Sequence, residues 1–566
     1  MLSHPSSYSK PVQQTFSRRA PRGDSAQPPE PVPVEGTSVW NLRAANGSLV
    51  NCVVIEGPDG LVLLGSGRSP EQGRAIARTL AARFDKPVEA VILGEPVSSH
   101  CTGVEALLKE QRNEHIPVIA HESWGRHPEA PLREIIYLKV TMATLQYGSE
   151  LWETDDLPQM LRRALTDSLP PAPHIAPTVT VRHGEEVSLA GLRIRCFSTG
   201  LFFDASLGLH LPQYRTAVIA NDFHATPGNF MAIEGARAEV SASWHALLTH
   251  LSTMDLQRLA STRMEPLLGT RRIRDMLSTY LDAIDYLHDQ TVRHILSGAP
   301  ADEIAHQITL PEEVLKGPFS RPLHGNFTGS ALQHHSRYVG WFSGNAVDLA
   351  PTPRAEHARR SIALMGGQER VLAASAEALD GGDPQWAAEL ARLVVAAGPE
   401  DEAGRAALSR ALHALGDQES NPLRRNWYHC AAMDASGDLR LSDVRDAVKR
   451  LFPLPAHVLL ENLRFRVIPE QAGDRTVSIG VEMSDTGEQF GLLLRNSVLR
   501  VHEGVPPEWL AGMRLSTEAL TRLVLGEVSL TELVSQHEVE IQGVPDAVEE
   551  LWEAIGPRPE LSFHRR

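Results

Sequence analysis

Cysteine is scarce. Cys52, Cys101, Cys196 and Cys430 are the only four in 566 residues, and none stand in a CxxC spacing. That excludes a zinc ribbon, argues against a disulfide framework and makes a reducing cytoplasm the expected compartment. No run approaches the roughly 18 apolar residues of a membrane-spanning helix. Residues 1–36 lack the apolar stretch of a secretory signal. Rich in Pro, Ser and charge, they read as a disordered arm. Basic residues are outnumbered, 54 Lys and Arg against 70 Asp and Glu, for a net charge of −16. This removes the electrostatic footing for non-specific nucleic-acid binding and for an anionic membrane surface. No nucleophile elbow, P-loop or dinucleotide fingerprint occurs in a fitting context.

What is present divides into blocks. The chain is too long for one core. From Val39 the run LVNCVVIEG-PDG-LVLLGSG reads as two strands around a turn. A helix (SPEQGRAIARTLAARF), a buried strand (PVEAVILG), a second helix and the strand IPVIAH follow. This alternation suggests helices packed on a sheet. TVTVRHGEEVSLAGLRIRCFST adds strands with a hairpin signal at GEE, and RTAVIAND adds another. Residues 37–268 form this first domain. Residues 269–436 carry apolar positions at helical spacing. Within them the stretch from Val371 to Gln418 looks like paired antiparallel helices of tetratricopeptide type, or a plain helical hairpin. Residues 437–566 turn to short strands (LRFRVIP, TVSIGVEM, QFGLLLRN, VLRVHEG) and two helices, a small α+β domain. Its apolar strands face either its own helices or a bound apolar ligand.

Three stretches carry a resemblance: YLDAIDYLHDQTVRHILSGAPADEIAHQITLP; RYVGWFSGN with ALMGGQERVL and GDPQWAAELARLVVAAGP; and NPLRRNWYHCAAM. Together they are similar to the dimerisation domain of secondary alkyl sulfatases and sodium dodecyl sulfate hydrolases, in the metallo-β-lactamase superfamily. The last domain, with SDTGEQFGLLLRN and LTRLVLGEVSLTELV, resembles the sterol-carrier-like domain that closes those enzymes. The resemblance implies a metallo-β-lactamase αββα sandwich, then a helical dimerisation domain, then a sterol-carrier-like α+β domain, assembled as a homodimer acting on a small molecule.

The family holds two zinc ions with an HxHxDH signature, two glutamates and a further His. Such ions lower the pKa of a bound water. The matching loop here is VILGEPVSSHC, with Glu95, Val97 and Ser99 at the first His, second His and Asp positions. His100 matches. Ungapped alignment puts the two glutamates at Ser206 and Asn221 and the last His at His250. On that alignment two of the seven positions, His100 and His250, keep a ligand, and a di-zinc centre is not expected. Glu234 falls at the family's sulfate-clamping Arg. A carboxylate there would repel sulfate and suit an ammonium or guanidinium group.

Asp222 and His224 follow the second glutamate position, and His210, His121 and His245 flank nearby strands. His100, Asp222, His224 and His250 form the candidate ligand set for one iron, copper or zinc ion, and one of the histidines is a candidate axial ligand for haem. Glu234 and Asp222 are the candidate catalytic carboxylates. His334 and His335, near His324, are a weaker metal candidate, because adjacent helical residues point about 100° apart. Cys101 beside His100 carries little weight as a nucleophile. The expected function is a repurposed enzyme of secondary metabolism acting on a small amine-bearing or amphiphilic metabolite with a different cofactor. The alternatives are a non-catalytic binder of lipid or another small molecule, and a zinc-dependent alkyl sulfate hydrolase.

Overall fold

The computed structural model describes residues 27–556, apart from 96–100, 112–114, 125–141, 143–144, 147–175, 201–204, 221–239, 318–319, 321–324, 440–454, 505–508 and the single positions 46, 48, 68, 263, 326 and 341. The first domain opens with β1 (Glu30–Pro33), β2 (Val39–Arg43), β3 (Leu49–Glu56) and β4 (Leu61–Leu64), an antiparallel run in sequence order. β1 falls inside the arm expected over 1–36. Its backbone pairs with β2, Val32 opposite Asn41, so that part of the arm is sheet. All four residues of β4 are buried, as a strand covered on both faces requires. Helix α1 (Pro70–Arg83) then starts on a Ser69 cap whose hydroxyl accepts the Gln72 N–H, with Pro at its first position. It returns the chain to β5 (Val88–Ile92), parallel to β4. Helix α2 (Val104–Lys109) leads to β6 (Val118–His121), and β7 (Val179–Val181) completes a seven-stranded sheet.

GEE is not the hairpin. Gly184–Glu186 carries the chain from the first sheet into the second, and the hairpin between β8 (Glu186–Leu189) and β9 (Leu192–Ser198) turns at Ala190–Gly191, both at positive φ. Two consecutive left-handed residues suit the twist of a tight hairpin. The second sheet continues through β10 (Leu207–Leu211), β11 (Thr216–Ile219), β12 (Arg258–Ser261) and β13 (Leu267–Leu268). Helix α3 (Val240–Ser252) connects β11 to β12, which run parallel.

Alternation sorts the side chains into layers. Val53, Ile55, Val62, Leu64 and Ile92 of the first sheet meet Ile194, Cys196, Leu209 and Val218 of the second in one inner core. Val54, Leu63 and Val91 face out onto Ile76 and Leu80 of α1 and Leu107 of α2. Phe197, Ala217 and Ile219 face out onto Trp244, Leu248 and Leu251 of α3, together with Ile273, Met276 and Tyr280 of α4 (Thr270–Leu296). This is the expected αββα sandwich, and the 27-residue α4 ties it to the helical domain.

That domain continues with α5 (Ala301–Gln307), α6 (Glu312–Leu315), α7 (Phe327–Val339), α8 (Arg354–Leu364), α9 (Gln368–Asp380), α10 (Pro384–Ala397), α11 (Glu402–Gln418) and α12 (Pro422–Ser436). The later helices start on short polar caps written in the sequence: Asp383 accepts the Trp386 N–H, Asp401 that of Gly404, and Asn421 those of Leu423 and Arg424. Small residues (Ala387, Ala391, Ala407, Ala411, Ala435) fill the seams.

In the last domain LRFRVIP is not a strand. It closes α13 (Ala456–Leu463), passes through a 3₁₀ turn at Arg464–Arg466 and enters the short α14 (Pro469–Ala472). β14 (Thr476–Met483), β15 (Gln489–Arg495), β16 (Val498–Glu503), β17 (Ala511–Leu515) and β18 (Val539–Gly543) form a sheet in the order β16-β15-β14-β17-β18. The apolar face of that sheet meets the domain's own helices: Leu459 and Leu463 of α13, Leu520 and Leu523 of α15 (Thr517–Leu525), Leu533 of α16 (Leu530–Ser535), and Val548 and Leu551 of α17 (Pro545–Glu553). Of the two readings of those strands, packing on their own helices is the one observed. No helix among the described residues is long and apolar enough to cross a membrane.

Candidate functional site

Strands that run parallel deliver their C-terminal ends to one edge of a sheet, where an α/β fold places its chemistry. Here β5 runs out into Gly94–Glu95, β6 ends at His121, β11 at Ile219 and β12 at Ser261. The two sheets meet at this edge, where the Leu207 N–H at the start of β10 donates to the Gly94 carbonyl at 2.7 Å. Gly94 also packs against Ala220 so closely that a Cβ would strike the Ala220 methyl, which only glycine avoids. The second sheet is knitted at the same level. Ser261 Oγ donates to the Ala220 carbonyl (3.3 Å), Thr262 N–H to Ile219 (3.4 Å) and Thr199 N–H to Ser206 (3.0 Å). Asn41 Nδ2 reaches across from the first sheet to the Ser261 carbonyl at 3.0 Å.

The result is a rim of buried polar residues between two apolar layers. Glu95 is 1% exposed, and Ser206, Thr262 and Asn41 are as deeply buried. The Ser206 and Thr262 hydroxyls and the Asn41 amide oxygen have no hydrogen-bond partner among the described groups. Burying such atoms costs on the order of 1–3 kcal/mol each unless something satisfies them, and a ligand or water entering this edge would do so. Asn41 and Thr262 were not singled out from the sequence. The signals were a polar residue on the inward face of VWNLR, and a hydroxyl directly after the strand RLAS.

The expected site residues are distributed as follows. His100, Asp222, His224 and Glu234 lie outside the described residues, as do Val97, Ser99, Asn221 and His324. Glu95 and Ser206 stand at the rim. His250 does not end a strand. It sits in the last turn of α3, on the outer face of the second sheet, with its ring 5.2 Å from Phe197 and 5.1 Å from His183. His183 Nδ1 accepts the Ser198 N–H at 3.2 Å. Burial, and then His183, hold the His250 imidazole below its usual pKa, while burial, Arg195 and His250 do the same for His210. Thr262 comes directly after the end of β12. His245 bridges α3 to Asp285 of α4 at 3.1 Å. His121 Nδ1 accepts the Ser123 N–H at 3.2 Å. His334 and His335 are buried on α7, and His334 lies edge-on to His288 at 5.2 Å. Burial, and then Glu95, push the Cys101 thiol up to about 12, which removes thiolate character.

Among the described residues no three His, Cys, Asp or Glu side chains gather as a metal ion needs. At the rim they supply one carboxylate, hydroxyls, an amide and an imidazole whose Nδ1 is already engaged. This donor set does not fit a zinc pair.

Comparison with known proteins places this architecture. The alkyl sulfatase dimerisation family matches residues 300–438, and the alkyl sulfatase C-terminal family matches residues 449–563. A linear primary-alkylsulfatase of Pseudomonas sp. (strain ATCC 19151) is 29% identical over 511 residues, covering 87% of this chain and 96% of its own. An (R)-specific secondary-alkylsulfatase of Pseudomonas sp. is 24% identical, covering 87% and 76%. The solved structure of the stereoselective inverting sec-alkylsulfatase Pisa1 from Pseudomonas sp. superposes with a TM-score of 0.71 at 22% identity, over 94% of this chain and 85% of that one. These relatives overturn the expectation of a repurposed enzyme with a different cofactor and chemistry, because the proteins that share this build nearly end to end are alkylsulfatases. That expectation counted ligand losses on ungapped matches across short strands. The chain thus carries an alkyl sulfatase dimerisation domain and an alkyl sulfatase C-terminal domain behind an αββα sandwich, and its build is similar to that of the alkylsulfatases along most of its length.

Proposed function

We propose that the protein hydrolyses the sulfate ester of an alkyl alcohol, releasing the alcohol and inorganic sulfate with water as the only co-reactant. The observation that carries this reading is the match to a primary-alkylsulfatase over 96% of that enzyme's length, all three structural units included. In the rim, Glu95 is the group suited to take the proton of the attacking water. The Ser206 and Thr262 hydroxyls are donors for the sulfate oxygens or for the water.

The protein works in this reading as a homodimer in a reducing, cytoplasmic setting. The dimerisation-family match supports the first part, and four buried cysteines, none in a disulfide, support the second. The test is release of inorganic sulfate from octyl and dodecyl sulfate below their micellar concentrations, with the secondary octyl ester alongside, in the presence of zinc and in the presence of a chelator. Sulfate and alcohol in equal amounts are expected. No release from any of the esters under either condition would overturn the proposal.

A further inference from the structure

Helices α11 and α12 are joined by an unusual contact. His413 and His429 face each other, Nδ1 to Nδ1 at 3.0 Å, with ring centroids 5.3 Å apart and the planes inclined by 37°. Two imidazoles at that separation hold together only while one ring donates and the other accepts, so the pair binds one proton between its facing nitrogens. The fit is built in. Gly416, one turn along α11, lies flat against the His429 ring, where a Cβ would stand 2.6 Å from a ring carbon. On the far side Asp417 Oδ1 is 3.8 Å from His429 Nε2. The charged and titratable groups facing His429 are therefore His413 and Asp417 of α11 and Arg425 of its own helix.

Helix α12 also grips two distant parts of the chain. Asn426 Nδ2 donates to the Gln146 carbonyl (3.1 Å), the Cys430 thiol to the Leu145 carbonyl (3.5 Å) and Asn421 Nδ2 to the Gly325 carbonyl (3.3 Å). Residues 145–146 belong to the connection between β6 and β7 of the sandwich. The α11–α12 seam thus lies behind the contacts that hold the helical domain to the sandwich.

We propose that the His413–His429 pair is an acid-sensitive latch on this seam, and that its opening loosens the grip of α12 on the segments at Gln146 and Gly325. One added proton still leaves a donor ring and an acceptor ring; protonating both rings places two cations nitrogen to nitrogen, which one carboxylate at 3.8 Å does not offset. The sign agrees with the surroundings. Burial, and then His413, hold the His429 imidazole below its ordinary value, against a smaller pull upward from Asp417, and Arg425 lowers it further. A histidine that charges less readily when folded costs stability as pH falls below the ordinary histidine value.

Hydrogen–deuterium exchange of the full chain, corrected for intrinsic rates, tests this at about pH 7.5 and about pH 5.5. Peptides spanning 402–436 are expected to exchange faster at the lower pH, up to tenfold for each unit by which the folded pKa lies below the unfolded one. In His413→Gln, whose amide keeps a hydrogen bond to His429 and takes up no proton, that acid response shrinks. In Asp417→Asn, which removes the charge favouring the imidazolium, it deepens. An unchanged response in both variants overturns the latch. If His413→Gln does not fold, Asp417→Asn alone decides, and a response that fails to deepen overturns it.

Discussion

Glu95 is a carboxyl group only 1% exposed at the end of a buried strand, a position that calls for a reason. In the hydrolytic reading that reason is proton transfer. Glu95→Gln keeps the shape and loses the base, so it is expected to lower the rate of sulfate release by at least about 100-fold with the fold intact by circular dichroism. An unchanged rate would remove Glu95 from the chemistry. His334 is the opposite case, an imidazole buried without a described partner for either nitrogen. Burial, and then His288 and Arg337, lower its pKa from 6.5 to about 4. Between those values the unfolded chain binds a proton that the folded chain refuses, so stability falls as pH drops through that window. His334→Met, close in volume and uncharged, is expected to flatten that fall by up to about 3 kcal/mol. Chemical denaturation at pH 7 and pH 4.5 would show it.

Between elements, the closest approaches are made by glycines. A Cβ on Gly73 of α1 would meet the Gly103 carbonyl, and one on Gly103 would meet the Ser66 carbonyl, so helix, loop and strand end touch backbone to backbone. This stack seats the start of α2 four residues after His100 in the chain. Gly73→Ala gains helix propensity yet forces two backbones apart. The net expectation is a loss of about 1–3 kcal/mol, read from the thermal midpoint, with a parallel loss of sulfatase activity. A midpoint at or above that of the parent would show that the stack yields easily. The caps at Asp383, Asp401 and Asn421 show what was legible at this scale, because a short polar residue ahead of a helical run signals its start whatever packs on it later. GEE and LRFRVIP show the limit. Turn residues mark that the chain bends, not whether it bends within a sheet or between two. Likewise, an apolar run of seven residues fits a strand as well as the end of a helix.

Across the whole molecule, the last domain has an apolar core of its own, drawn from α13, β14–β17 and the helices that follow. Residues 455–556 expressed alone are therefore expected to unfold cooperatively, and the intact chain to show more than one calorimetric transition. A structureless fragment would show that this core depends on the helical domain. The three-part order was readable in the sequence, because hydrophobic period and composition change along the chain, from buried strands to helical spacing and back. The site was readable only in part. Glu95 and Ser206 were marked in the sequence only as positions where the family's ligands are replaced, each next to an apolar strand that anchors the alignment. Thr262 and Asn41 were missed because their places come from residues on other strands, Ile219 for the first and Ser261, 220 positions away, for the second. Local pattern and caps, which depend on residues a few positions apart, were determined by the sequence itself. Which strand ends share one edge, which histidines back onto a helix and which hydroxyls are left buried together were decided only by the pairing of two sheets, since convergence in space depends on register between distant segments.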